Sequence, residues 1–184
     1  ENLDWLTFDD GTNTWSGTPL NDNVGVGTVI VNITDPSQAS VSDTFNITVN
    51  NTNDAPTALA ISATTVAENS DIGTVIGTLS TTDVDLGDEH SYSIVSQVGN
   101  SDNAAFSISG NELSTLTALN FEDQNSYSIL LRTTDIAGAT FDQQIEIGLT
   151  DVNENPSDIS LSLTTVPENS SISDAIATVS STDI

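Results

Sequence analysis

The stretch Asp-Val-Asn-Glu-Asn-Pro occupies residues 151–156, and residues 51–56, one hundred positions earlier, are Asn-Thr-Asn-Asp-Ala-Pro. The same offset relates Thr-Thr-Val-Ala-Glu-Asn-Ser at 64–70 to Thr-Thr-Val-Pro-Glu-Asn-Ser at 164–170. A gap-free offset that recurs in several places is typical of homologous modules in tandem. We therefore predict that the chain is built from repeats with a period of 100 residues.

Between these two stretches, apolar side chains alternate with polar ones, as they do in β-strands that bury one face. Tyr127, Ile129 and Leu131 give a clear example, and Gly110 with Asn111 marks a tight turn. The pattern indicates about seven short strands, which is the number in a small β-sandwich. We predict an all-β fold of tandem Ig-like Greek-key β-sandwiches.

The period divides the chain into one complete module and two partial ones. Residues 57–154 contain the full set of predicted strands, and residues 1–54 contain the C-terminal part of a preceding sandwich, with a hairpin turn at Asp9–Gly11. Residues 157–184 contain only the first strands of a following module, which are too few to bury a core. We expect this last piece to be poorly ordered or to pair with a neighbouring molecule.

The charge of the chain is strongly one-sided. Arg132 is the only Lys or Arg, against 27 Asp and Glu, and the net charge is −26. A surface of this charge repels nucleic acid and anionic membranes, so we expect no nucleic-acid partner. Acidic chains are often disordered, but the sustained alternation argues for folded modules. Cations are then needed to neutralise the carboxylates, and oxygen ligands favour Ca²⁺ or Mg²⁺.

The acidic residues cluster at the predicted ends of the modules. Asp83 and Asp85 are two positions apart and precede Gly87, which permits a turn. Because strands of a sandwich run between its two ends, loops that are distant in sequence converge there. Ca²⁺ takes six to eight oxygen ligands, and such converging loops can supply them. The chain has no Cys, which excludes disulfides and thiolate metal sites.

Residues 57–154 resemble a cadherin repeat of the kind found in large bacterial surface proteins. The motifs that carry the resemblance are Ala67-Glu68-Asn69, Asp83-Val84-Asp85, Leu119-Asn120-Phe121-Glu122, Asp135 before Gly138, and the linker 151–156. Asn120 stands where the family has Asp, and Glu154 stands where the linker has its second Asp.

The N-terminal segment resembles a dystroglycan-type cadherin-like domain. The stretches that carry this resemblance are 5–9, Trp-Leu-Thr-Phe-Asp; 16–19, Ser-Gly-Thr-Pro; 32–35, Asn-Ile-Thr-Asp; and 42–45, Ser-Asp-Thr-Phe.

The resemblance implies Ca²⁺ ions between successive modules. At the junction around residues 151–156, called the second junction below, the implied ligands are Glu68, Asn120, Glu122, Asp151, the backbone of Asn153, Glu154, Asn155 and Asp183. At the first junction, around residues 51–56, they are the backbone of Asn53, with Asp54, Asp83, Asp85 and Asp135. Asn51 and Ala55 replace expected ligands there, so we expect fewer or weaker ions, unless Asp22 or Asn23 substitutes.

The function implied by the resemblance is that of a calcium-binding, calcium-rigidified module in the stalk of an extracellular adhesion protein. The implied partners are neighbouring cadherin-like repeats in cis, and also another cell-surface protein, as in homophilic adhesion, or a polysaccharide. The implied location is the membrane-associated cell surface of a bacterium. The high acidity and scarcity of Lys suit a salt-rich habitat, so we expect a marine one.

Two other functions are alternatives to adhesion. His90 is the only His and lies in a predicted loop, where we expect it to be solvated, and no nucleophile–base constellation accompanies it. Glu68 and Glu122 as a glycosidase pair fit the motifs less well than ligation does, so we predict no enzyme. The alternative is a carbohydrate-binding module of a secreted polysaccharide-active protein, in which Trp5, Trp15 and Tyr92 stack on sugars instead of anchoring cores.

Overall fold

The computed structural model describes residues 3–96, 101–171 and 177–182 and is all-β, which confirms the predicted fold class. The strands of the N-terminal segment are β1 (Leu6–Asp9), β2 (Thr14–Gly17), β3 (Gly25–Thr34) and β4 (Ser40–Val49). Those of the central module are β5 (Ala58–Ile61), β6 (Thr65–Ala67), β7 (Val75–Thr82), β8 (Ser91–Ile94), β9 (Phe106–Ser109), β10 (Glu112–Thr115), β11 (Ser126–Thr134) and β12 (Thr140–Thr150). Strands β13 (Asp158–Leu161) and β14 (Val179–Thr182) follow.

The central module is a sandwich of two four-stranded sheets. One sheet has the order β5-β7-β10-β9 and the other the order β6-β12-β11-β8. Every strand that alternation predicted in this module is present, and β9 and β10 are joined at Gly110 and Asn111 as expected. Strand β6 was not predicted, because alternation cannot be recognised in three residues of which only Val66 is buried.

The core lies between these two sheets. Leu113, Ile129, Leu131 and Ile147 are fully buried, and the ring of Phe106 meets that of Tyr127 edge-on at 5.6 Å. A pair of hydroxyl groups is satisfied within the core, as burial requires: the hydroxyl oxygens of Thr81 and Thr133 are 2.7 Å apart. The central module therefore has a closed core of its own.

The N-terminal segment consists of two antiparallel hairpins, β1–β2 and β3–β4. The predicted turn between β1 and β2 is confirmed, because Asp9 Oδ1 accepts hydrogen bonds from the backbone N–H groups of Gly11 and Thr12. Strands β3 and β4 pair over their full length. Val29 is buried, but Ile30 and Ile33 stay 63% and 65% exposed, so this segment encloses much less than the central module does.

The predicted period is visible in the strands. Strands β3 and β4 precede β11 and β12 by one period, and β13 and β14 follow β5 and β7 by one period. Strands β13 and β14 pair antiparallel as β5 and β7 do, and the apolar residues Ile159 and Leu161 of β13 are exposed. The domain boundaries at 1–54, 57–154 and 157–184 stay predictions, as does poor order or intermolecular pairing of the last piece.

Arg132 lies on β11 with its side chain away from the core. Its Nε and Nη2 donate to the two carboxylate oxygens of Asp142 on β12, at 2.6 and 2.8 Å. Arg132 and Asp142 therefore form an ion pair between neighbouring strands, with side chains that are 38% and 34% exposed. Pairing with Arg132 lowers the pKa of Asp142.

Replacing Ile by Ala at one buried and one exposed position tests the placement of the core. Ile129→Ala, at a fully buried site, should lower the free energy of unfolding by about 2–5 kcal/mol, because it removes packed methyl groups and leaves a cavity. Ile136→Ala, at a site 76% exposed, should change it by less than about 0.5 kcal/mol. Urea denaturation followed by far-ultraviolet circular dichroism at fixed Ca²⁺ measures both. Equal losses in the two variants would contradict this placement of the core.

Candidate metal centres at the module junctions

Four carboxylates meet at the second junction. Glu68, Glu122, Asp151 and Glu154 each place one oxygen within 4.8 Å of the others. The fold brings them together because β6 and β12 run parallel with Ala67 opposite Thr150. Glu68 and Asp151 therefore follow the two strands at the same end of the sheet. Two oxygens bound to one Ca²⁺ at about 2.3–2.6 Å are separated by no more than about 5 Å. The spacing of the four groups therefore suits a shared cation.

Glu68 is the fixed member of this cluster. It is only 2% exposed, and its Oε2 and Oε1 accept hydrogen bonds from the N–H groups of Phe121 and Val152, both at 2.8 Å. These bonds, with that of Phe121 first, lower the pKa of Glu68 and keep it charged. Glu68 thus ties the loop containing Glu122 and the linker to the end of β6.

Glu154 is in the opposite electrostatic situation. Partial burial, and then the charges of Glu68, Glu122 and Asp151, raise its pKa. Its Oε1 accepts a hydrogen bond from Asn69 Nδ2. Asn69 was not among the predicted site residues. Its place in Ala67-Glu68-Asn69 and its positive φ of 54°, which Asn tolerates, are the signals that mark it.

Of the predicted Asn residues of the second junction, two make hydrogen bonds within their own loops and one is exposed. Asn120 Oδ1 accepts a hydrogen bond from the N–H of Asp123, and Asn153 Nδ2 donates to the carbonyl of Glu154. Asn155 is exposed in the linker. Asp183, predicted from the next module, lies outside the described residues. The structure thus brings four carboxylates of the predicted set together, and the roles of the other four residues stay predictions.

At the first junction, hydrogen bonds join the linker to the loops of the central module. Asn53 Nδ2 donates to Asp135 Oδ2 at 2.9 Å, and the N–H of Asp54 donates to Asp85 Oδ2 at 2.7 Å. The N–H of Asp85 donates in turn to Asp83 Oδ1 at 3.0 Å. The amide of Asn53 is the main cause of a lowered pKa at Asp135. All five predicted residues of this junction therefore belong to one hydrogen-bonded group.

Two carboxylate oxygens in this group are buried and find no hydrogen-bond partner among the described residues. They are Asp85 Oδ1, on a residue only 5% exposed, and Asp88 Oδ2. Burial, followed by the charges of Asp83, Asp85 and Asp135, raises the pKa of Asp88. Buried charged oxygens without donors are costly unless a cation pairs with them. The donor set therefore fits a bound metal ion.

The expectation for His90 was wrong. Its side chain is only 11% exposed, and its Nε2 lies 3.1 Å from Asp83 Oδ2. The backbone turns at Gly87, which has a φ of 90°, and Ser91 then enters β8 opposite Thr134 of β11. This pairing holds His90 beside the aspartates instead of in solvent. Asp88 and His90 were both missed as site residues because the three-dimensional path of a loop cannot be derived from its composition.

The N-terminal segment also reaches the first junction. Asn21 Nδ2 donates to Asp54 Oδ2 at 2.8 Å. Asn23 instead accepts a hydrogen bond from the N–H of Leu20, within its own turn. Asp22 lines an open cleft with Asn51 and Val84. Asn21, and not Asp22 or Asn23, therefore supplies the contact to the linker carboxylate.

The aromatic residues considered for sugar binding do not form a flat row. Trp15 packs against Phe8 with ring planes at 45° and against Phe45 at 77°. Tyr92 packs against the core of the central module, and its hydroxyl accepts a hydrogen bond from Thr81. Trp5 is half-buried, with its carbonyl packed against Gly17. These contacts are those of packing residues.

Two known families match separate parts of the chain. Residues 62–149 match the family described as "Cadherin domain", and residues 4–50 match the family described as "Putative Ig domain". The dystroglycan-type assignment of the N-terminal segment stays a prediction. A search of the curated proteins found no significant match. Within the described part of the chain, no helix has the length and apolar character needed to span a bilayer.

Solved structures of protocadherin ectodomains have a similar fold. The protocadherin gamma B4 extracellular domain matches with a TM-score of 0.68 and 22% identity, over 98% of this chain and 30% of that one. Extracellular cadherin domains 3–6 of protocadherin gamma B2 match with a TM-score of 0.70 and 22% identity, over 98% and 46%. Domains 1–2 of human protocadherin-24 match with a TM-score of 0.59 and 20% identity, over 83% and 79%. The chain thus spans less than half of the first two, and identities this low show the fold alone.

Repulsion at the second junction predicts that one substitution stabilises the chain without Ca²⁺ and weakens its stabilisation by Ca²⁺. In EDTA, Glu154→Gln should raise the melting temperature, because it removes a charge repelled by three carboxylates and keeps an acceptor for Asn69. Addition of Ca²⁺ should raise the melting temperature of this variant less than that of the unmodified chain. Differential scanning calorimetry in both buffers measures this. Glu112→Gln, at an exposed position on β10, controls for the loss of one charge from a chain of −26. An equal rise in both variants would contradict the account.

Proposed function

We propose, from the premise that this chain is a cadherin-like repeat protein, that it is a calcium-rigidified tandem module of an extracellular adhesion stalk. The observation that carries the proposal is the convergence of carboxylates at the junctions before and after the central module. At the first junction these carboxylates come from the linker as well as from loops of the module. Any ion held there would join the linker to the loops of the central module.

The residues prepare each junction for a cation by fixing some carboxylates and crowding others. Glu68 is held by two backbone N–H groups, while Glu154 is repelled by the charges of three neighbouring carboxylates. Asp85 is held through one oxygen by the N–H of Asp54, which leaves the other without a donor. A bound Ca²⁺ supplies the positive charge that replaces this repulsion by bridging. Without it, repulsion favours separation of the linker from the loops.

The proposed ligands are the complete predicted sets. For the second junction these are Glu68, Asn120, Glu122, Asp151, Asn153, Glu154, Asn155 and Asp183, and for the first junction Asn53, Asp54, Asp83, Asp85 and Asp135. Six to eight oxygens favour Ca²⁺ over the smaller Mg²⁺, which keeps several waters in near-octahedral geometry. Because Ala55 offers no side-chain oxygen at the first junction, we propose weaker Ca²⁺ binding there than at a complete second junction.

The partners and location are proposed from the same family. One solved relative, domains 3–6 of protocadherin gamma B7, is described as a cis-dimer structure. We propose that this chain contacts neighbouring cadherin-like repeats in cis, on the outside of a cell, and that the cell is a marine bacterium. Homophilic contact or a polysaccharide partner belongs to the same proposal. We assign no catalysis to Glu68 and Glu122, since both groups face the linker carboxylates. The packed aromatic rings do not favour the sugar-binding alternative.

Rigidification is tested by a distance measurement across the first junction. The chain has no Cys, so Ser42→Cys and Asn111→Cys, both at exposed positions, allow specific spin labelling on either side of the linker. Pulsed electron paramagnetic resonance should give a broad distance distribution in EDTA and a narrow one in Ca²⁺, with little narrowing in Mg²⁺.

The matched control carries Asp85→Asn as well. It preserves an acceptor for the N–H of Asp54 but lacks the charge, so its distribution should stay broad in Ca²⁺. Circular dichroism verifies that the labelled variants keep their strands. Equal widths in EDTA and Ca²⁺ for the parent pair would refute rigidification.

A further inference from the structure

We propose that Asp83, Asp88 and His90 form a site at the first junction for a borderline divalent transition metal, with Zn²⁺ as the best fit. This site is distinct in chemistry from the all-oxygen cluster of the second junction. It combines one imidazole nitrogen with two carboxylates on a single loop of eight residues, 83–90.

The distances between the donor atoms suit a small metal ion. One ligand atom from each of the three residues lies within 4.8 Å of the other two, and His90 Nε2 is 3.1 Å from Asp83 Oδ2. Nitrogen and oxygen ligands of tetrahedral zinc, at about 2.0–2.2 Å from the metal, are about 3.3–3.6 Å apart. The His90–Asp83 pair therefore needs to open by only a few tenths of an ångström to ligate a shared ion.

Burial and unmet hydrogen bonding give independent support. The side chains of His90 and Asp83 are only 11% and 4% exposed. Asp88 Oδ2 is a buried atom with no hydrogen-bond partner among the described residues. A bound cation satisfies a buried carboxylate oxygen that lacks a donor.

The imidazole nitrogen determines which metal ions the site favours. Ca²⁺ and Mg²⁺ take oxygen ligands, whereas imidazole suits zinc, copper, iron and nickel. Two carboxylates with one His form a mixed oxygen and nitrogen set that zinc accepts, with water available as a fourth ligand. The chain has one His and no Cys, so no other place in it can offer zinc a nitrogen or thiolate side chain.

The loop is held in place for this role. Gly87 has a φ of 90°, and the N–H of Asp88 donates to the carbonyl of Asp85. His90 directly precedes β8, whose pairing with β11 sets Ser91 opposite Thr134, next to Asp135. Asp83 is the residue shared with the proposed calcium set, so zinc and calcium compete for it.

The single His makes the test direct. In the unmodified, ¹⁵N-labelled chain, two-bond ¹H–¹⁵N spectra resolve the two ring nitrogens of one imidazole. Addition of Zn²⁺ should shift the Nε2 resonance of His90 and saturate near one equivalent, since Nε2 is the nitrogen that faces Asp83. An unmoved His90 spectrum at several equivalents of Zn²⁺ overturns the proposal, and this result does not depend on the folding of any variant.

Calorimetric titration with matched variants separates this site from the calcium sites. His90→Gln and Asp88→Asn should each weaken Zn²⁺ binding at least tenfold, because even outer partners of metal ligands cost about 10–100-fold when removed. Glu154→Gln should leave Zn²⁺ binding unchanged while it weakens Ca²⁺ binding at the second junction. Equal Zn²⁺ affinity in the parent chain and in His90→Gln contradicts the proposal. Neither result bears on whether Ca²⁺ narrows the distance distribution across the first junction, so the two proposals fail independently.

Discussion

Repulsion between carboxylates that the backbone holds in place is the constraint on which the rest of this structure depends. Parallel pairing of β6 with β12 sets Glu68 beside Asp151, and the N–H groups of Phe121 and Val152 keep Glu68 charged and buried. Glu154 must then approach three like charges. With one Arg in the chain, engaged with Asp142, no lysine or arginine can relieve this repulsion. An external cation is the remaining source of positive charge.

The sandwich and its junctions divide the energetic roles between them. The central module folds around its own apolar core, in which Ile129 and Leu131 are fully buried, and this core does not involve the acidic residues. The junctions bring carboxylates together, so under the proposed function the orientation of successive modules depends on ionic conditions. Under the same proposal, the modules stay folded while the stiffness of the stalk follows the supply of cations.

Much of this arrangement could be predicted from the sequence, and the exceptions have physical reasons. The offset of 100 residues located both junctions, and alternation located β11 and β12, because both signals repeat along the chain. Strand β6 has three residues, too few to show a period. His90 reaches the first junction through the path of a turn, and Asn21 reaches it as part of the short 3₁₀ helix Asn21–Asn23. Composition specifies neither path. Asn69 was within a recognised motif, but its contact with Glu154 spans 85 positions and becomes apparent only in the folded chain.

The most direct test of the central claim, that cations relieve the repulsion at the junctions, is calorimetric melting of the unmodified chain in EDTA, in Ca²⁺ and in Mg²⁺. A ligand that binds only the folded state stabilises it by about 2.7 kcal/mol at one hundred times its dissociation constant. The account predicts a melting temperature that rises with Ca²⁺ and then follows this logarithmic dependence, with little change in equal Mg²⁺. The same melting temperature in all three buffers would contradict it and would leave a chain whose folded state tolerates its converging carboxylates without a metal.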